Sequence, residues 1–103
     1  MPAENIYYVY VYVDENLQPY YVGMGKGRRA FVKHRVEVPP KERIVFVERN
    51  LTLIGAFAIE RRLIAWYGRK HLDNGLLLNK EPGGCGYRDA EEQKQVALQM
   101  VEE

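Results

Sequence analysis

An α/β domain of the α+β type is predicted, a small three-stranded antiparallel sheet flanked by helices, and three features of the 103-residue chain predict it. Ile6 to Val13 is a run of tyrosine, valine and isoleucine that suits a strand and little else. Asp14-Glu15-Asn16-Leu17-Gln18-Pro19 supplies polar turn chemistry, and Tyr20-Tyr21-Val22 resumes strand character before Gly23, which closes a β-hairpin. Leu53 to Tyr67 has the apolar spacing of a helix, with Thr52 placed to cap its start and Gly68 its end.

The remaining elements follow from local chemistry. Gly23-Met24-Gly25-Lys26-Gly27 is a flexible cationic loop, and Arg28 to Arg35 can run as a short basic helix until Pro39-Pro40 stops it. Ile44 to Val47 predicts a third strand. Leu76 to Asn79 is a short apolar segment leading into Gly83-Gly84-Cys85-Gly86. A last helix over 89–102 is predicted, with Asp89 and Glu92 as a reciprocal cap and Ala90, Lys94, Ala97 and Val101 along one face. With 47% hydrophobic residues and no linker or repeat, the chain reads as one domain over 1–103, with its core in about 6–87.

Composition narrows the function. The single cysteine, Cys85, excludes an internal disulfide, and no Cys or His pair has the spacing of a structural zinc site. No apolar run approaches the roughly 18 residues of a membrane span, and Met1 to Asn5 lacks the order of a secretion signal. A soluble, unprocessed, intracellular (cytoplasmic) protein is expected, as a monomer or weak dimer. Residues 21–80 hold 13 Lys/Arg against 5 Asp/Glu, or +8, whereas the two ends together hold 2 against 9, or −7. A basic middle suits a surface that meets polyphosphate; the alternative is that charge simply clusters on solvated faces.

Period two puts Tyr8, Tyr10 and Tyr12 on one face of the first strand, with Tyr7, Val9, Val11 and Val13 on the other. On the long helix, Glu60 falls in the middle of the apolar stripe, with Leu53, Ala56, Phe57, Leu63, Ile64 and Tyr67 all within about 60° of it. A carboxylate there must be desolvated, which costs several kcal/mol unless a cation or donors compensate. An arginine partner is the structural explanation, and a functional carboxylate the other.

Tyr8-Val9-Tyr10 and Tyr21-Val22-Gly23 resemble the two name-giving tripeptides of the GIY-YIG nucleases, their tyrosines eleven residues apart. Gly25 to Phe31 is similar to that family's arginine-bearing segment, Ile59 to Arg69 to its glutamate-bearing helix, and Gly75 to Asn79 with Gly83 to Gly86 to the segment that holds its asparagine. Single pieces of this kind occur widely; the ordered set, from about Tyr7 to Gly86, is specific. Two departures are Tyr8 and Val9 in place of glycine and isoleucine, and Met24 where lysine is frequent. His34 stands one residue later after Arg29 than the family pattern places its histidine, which leaves its role open.

The resemblance implies a metal-dependent DNA endonuclease that hydrolyses phosphodiester bonds, on branched, flap or single-stranded DNA. Its implied site is Tyr10, Tyr21, Arg29, Glu60 and Asn79. Glu60 would hold one divalent ion, magnesium or else manganese, since hard cations favour carboxylate oxygen. Tyr10 would orient the attacking water and take its proton, with Tyr21 beside it; its ordinary pKa of about 10 would need lowering by Arg29, Lys26 and the metal. Arg29 would fork two donors onto the phosphate, and Asn79 would brace the site. Gly23, Lys26, Arg28 and His34 would contact substrate, although Lys26 in its glycine loop is equally an ordinary hairpin exit. Arg61, Arg62 and Arg69 are expected on the helix's other side, solvated or at most peripheral DNA contacts. The rival functions are a silent nucleic-acid-binding module and a protein-interaction domain.

Overall fold

The structure, a computed structural model, describes residues 5–73 and 75–80. Three antiparallel strands, β1 (Tyr7–Val13), β2 (Pro19–Lys26) and β3 (Ile44–Leu51), form one sheet in the order β2-β1-β3. The helix α1 (Leu53–Tyr67) follows, and then the single turn α2 (Lys70–Asp73). The glycine run 83–86 and the helix expected over 89–102 lie outside the described residues.

The central strand explains its own composition. β1 is hydrogen-bonded on both edges and all seven of its residues are buried, so alternation sorts partners rather than core from solvent. Tyr7, Val9, Val11 and Val13 pack with Val22 and Met24 of β2 and with Leu53, Ala56, Phe57 and Ile64 of α1. Tyr8, Tyr10 and Tyr12 face the other way, against Ala30 and Ile44, with Phe31, Val36, Val38 and Phe46 around them. The hairpin turn is held by Asp14, whose Oδ1 accepts from the backbone N–H of Asn16 at 2.8 Å and of Gln18 at 3.0 Å, while Leu17 takes a φ of +64°.

Three expectations are corrected. Gly23 does not end the second strand, which runs on to Lys26, because Gly23 and Gly25 stand opposite Tyr10 and Tyr8 and leave the space that ring and side chain occupy. The third strand also continues, through Glu48, Arg49 and Asn50 to Leu51, since an edge strand tolerates a solvated polar row. The basic segment 28–35 is no helix beyond one 3₁₀ turn at Arg29–Phe31. No acidic residue or capping side chain supports its start, Val32 is already extended, and the hydroxyls of Tyr8 and Tyr12 take the N–H and C=O of Ala30.

α1 begins and ends where the capping residues place it. Thr52 Oγ1 accepts from Gly55 N–H at 3.0 Å, and Gly68, at φ +76°, donates its N–H to Ile64 O at 2.8 Å. The helix lies mainly over β2 and β1. After α2, which was not foreseen, Leu77 bridges to Arg69, and Leu78 N–H donates to Tyr20 O at 2.7 Å, which brings residue 79 to the outer edge of β2. No helix among the described residues is long and apolar enough to cross a membrane.

Thr52→Ala removes the cap from the helix that covers the valine side. A loss of about 1 kcal/mol is expected, read as a lower urea midpoint with an unchanged slope; an unchanged midpoint would mean that the cap contributes nothing.

Candidate functional site

Tyr10 and Gly23 are register partners in the β1–β2 pair, and the phenol ring lies where a side chain on residue 23 would be. A Cβ on Gly23 would run into the ring and hydroxyl of Tyr10. Tyr10 is fully buried, and its hydroxyl reaches His34 Nε2 at 2.5 Å. The other ring nitrogen, Nδ1, lies 2.6 Å from Val32 O, which can only accept, so Nδ1 carries a proton. In neutral His34 the Nε2 lone pair therefore accepts the Tyr10 hydroxyl proton. Three phenol rings enclose the imidazole: Tyr10, Tyr12 and Tyr21 have centroids 5.8, 5.3 and 5.5 Å from it. Tyr12 and Tyr21, themselves cross-strand partners, stack at 5.4 Å.

Arg29 is delivered by a turn that two tyrosines hold. Tyr8 hydroxyl donates to Gly27 O at 2.8 Å and accepts from Ala30 N–H at 3.0 Å, while Tyr12 hydroxyl donates to Ala30 O at 2.7 Å. The Arg29 stem crosses the bare backbone of Gly25, where a Cβ would collide with it. Its Nε is buried without a hydrogen-bond partner among the described residues, so a guanidinium donor at this point calls for an acceptor from elsewhere. Burial pushes the Tyr12 phenol well above its ordinary range, helped by Tyr21 and Tyr20 and only partly opposed by Arg29, so Tyr12 remains a donor. Burial and the Glu37 carboxylate likewise raise Tyr20, whose hydroxyl donates to Glu37 O at 2.6 Å and fastens the loop that carries His34 and Val38.

Asn79 serves as a short substitute for a fourth strand. Its Oδ1 accepts from Val22 N–H at 3.0 Å and its Nδ2 donates to Val22 O at 2.7 Å, on the outer edge of β2 between Tyr21 and Gly23. Glu60 is buried at 6% exposure, as its place in the apolar stripe requires, but α1 covers the valine side of the sheet rather than the phenolic side. Lys26 also turns away, its ammonium 5.5 Å from the Tyr7 ring centroid on the helix side. Arg28 is exposed, its guanidinium 5.9 Å from the Phe31 ring centroid.

Of the residues singled out in the sequence, Tyr10, Tyr21, Gly23, Arg29 and His34 thus share one face, and Asn79 fixes its outer edge. Glu60 and Lys26 belong to the other layer. Sequence reasoning missed Tyr8 and Tyr12 as braces of the arginine turn; their place on the Tyr10 face was readable, their partners 18 to 22 residues away were not. Among the described residues no group of three or more His, Cys, Asp or Glu converges as a metal centre, so Glu60 offers a single buried carboxylate. Comparison of the chain with protein-family models, with curated proteins and with solved structures gives no match.

Asn79→Ala leaves the N–H and C=O of buried Val22 without their partner. A loss of about 1–3 kcal/mol in urea unfolding is expected, and no loss would show that the clamp is replaced by water. Since folding holds Tyr12 and Tyr20 protonated, their contribution to stability is complete below the ordinary phenol value of about 10 and is lost as pH rises above it. Absorbance titration should show tyrosines that ionise only as the fold is lost; ionisation of all the tyrosines near the ordinary value in the folded protein would contradict this.

Proposed function

We propose that the chain is a phosphodiester-hydrolysing DNA endonuclease of the GIY-YIG type. The observation that carries the proposal is the convergence, on one face, of a buried Tyr10 hydroxyl hydrogen-bonded to His34 Nε2 and an arginine turn whose Nε has no hydrogen-bond partner among the described residues. Hydrolysis of a phosphodiester needs a base for water, cationic donors for the phosphoryl oxygens and help for the departing 3′ oxygen.

Tyr10 would take the proton of the attacking water as its own proton passes to His34 Nε2. The imidazole is oriented for this by Val32 O, which holds the opposite nitrogen in the donor state. This relay replaces the expectation that cationic neighbours alone would lower the Tyr10 pKa, because Lys26 lies on the other side of the sheet. Arg29 would place its guanidinium donors on the phosphate, and Tyr21 would help hold the water against the His34 ring. Asn79 keeps β2 straight at Tyr21 and Gly23 without reacting. Glu60 is the residue that would hold a divalent ion, and carboxylate oxygen suits magnesium, which keeps several of its waters. When bound, that ion would supply positive charge from the valine side of the sheet, so neutralisation on the phosphate itself falls to Arg29.

The placement of Glu60 under the valine side favours one rival, a module of the same design that binds nucleic acid without cutting it. A cleavage assay separates the two. Radiolabelled single-stranded, duplex and branched DNA are incubated with magnesium and either the wild type or the variants Tyr10→Phe, His34→Gln and Glu60→Ala. Wild-type cleavage is expected, slowed roughly 10²- to 10⁴-fold by either relay variant and reduced in Glu60→Ala. Binding without cutting by every form would select the silent module, and no affinity even at low salt would remove both. Arg29→Lys should cut roughly 10²- to 10³-fold more slowly while folding normally; near wild-type rates would take Arg29 out of the site.

A further inference from the structure

Beside Arg29, cations and aromatic rings alternate along the tyrosine side of the sheet. The Arg28 guanidinium lies 5.9 Å from the Phe31 ring centroid, Phe31 and Phe46 are 5.9 Å apart, and the Arg49 guanidinium lies 4.0 Å from the Phe46 centroid. Phe46 is held edge-on by Tyr8 at 5.1 Å, the same tyrosine that fixes the arginine turn. Both phenylalanines are half-buried, while Arg28 and Arg49 are exposed. Next to this row opens a cleft of about 290 Å³, lined by Arg28, Phe31, Val38, Pro39, Lys41 and Ile44, with no acidic side chain among the described residues of its wall.

We infer that this strip is a docking track for the unpaired bases of single-stranded DNA, a conclusion that rests on the tyrosine side being the side that meets DNA. Arginine–ring contacts at exposed positions are weak, so the guanidinium groups can turn to phosphate while a base takes the ring face. In a duplex the base faces are covered by their neighbours, and only an unpaired base can lie on Phe31 or enter the cleft. Charge separates this cleft from a larger one of about 510 Å³ on the other side of Pro39. Among the described residues that one is lined by Asp14, Glu15 and Glu37 against the cation Arg43, and it would repel a phosphate backbone. The track therefore favours strands that are single or frayed next to Arg29 over continuous duplex.

Binding is measured by fluorescence anisotropy in EDTA, where no cutting can occur, with a labelled dodecathymidylate and a duplex of the same length. The probes meet the wild type, the exposed-charge variant Arg28→Ala/Lys41→Ala, and Phe31→Leu, each first shown to melt as the wild type does. The wild type is expected to bind the single strand about tenfold tighter than the duplex, and each variant to lose about tenfold in single-strand affinity. Phe31→Leu should leave duplex binding unchanged. Equal affinity for the two probes, or wild-type single-strand affinity in the charge variant, overturns the inference. Magnesium added afterwards reports on the nuclease separately. A protein that shows this binding pattern but never cuts keeps the track and loses the nuclease, while one that cuts with its variants' affinities unchanged loses the track alone.

Discussion

The ring of Tyr10 occupies the volume that any side chain at position 23 would fill, and this exclusion organises one whole face of the domain. Because Gly23 yields that space, the phenol can lie flat on β2, stay fully buried, and still present its hydroxyl to His34. Gly25 does the same two pairs further along, where the Arg29 stem crosses the sheet. Two glycines in an edge strand, a poor choice by propensity alone, set a base-like pair and a guanidinium side by side.

The tyrosines of this face divide the labour. Tyr8 and Tyr12 are donors to backbone, and burial keeps Tyr12 protonated, so they act as fixed struts for the Gly27–Ala30 segment. Tyr20 fastens the loop beyond it through Glu37 O. That leaves Tyr10 and Tyr21 around an imidazole whose tautomer is set by Val32 O. In the proposed reaction only these two phenols need meet water or phosphate, and the struts hold the cation in reach of the same place. Asn79, by completing the hydrogen bonds of Val22, keeps the outer strand from sliding out of that register.

Local chemistry made part of this legible. α1 could be read to its caps, because Thr52 and Gly68 act on their own turn, and the burial of Glu60 follows from the helical period. The alternation in β1 sorted Tyr8, Tyr10 and Tyr12 from Tyr7 and the valines correctly. What failed was tertiary. Gly23 reads as a stop because the ring that uses its space comes from another strand, and Arg28 to Arg35 reads as a helix because the tyrosine hydroxyls that capture Ala30 are distant in sequence. Period also says that Glu60 faces the sheet without saying which side of the sheet its helix covers, and His34 meets Tyr10 across 24 positions that no spacing rule connects.

The proposed chemistry turns on the proton between Tyr10 and His34. ¹⁵N NMR of the imidazoles, with His71→Gln used to leave His34 as the one remaining histidine signal, reads the tautomer directly. A protonated Nδ1 and an unprotonated, hydrogen-bonded Nε2 whose resonance moves in Tyr10→Phe is the predicted result. A protonated Nε2 in the neutral ring, or an Nε2 resonance indifferent to the loss of the Tyr10 hydroxyl, would contradict it.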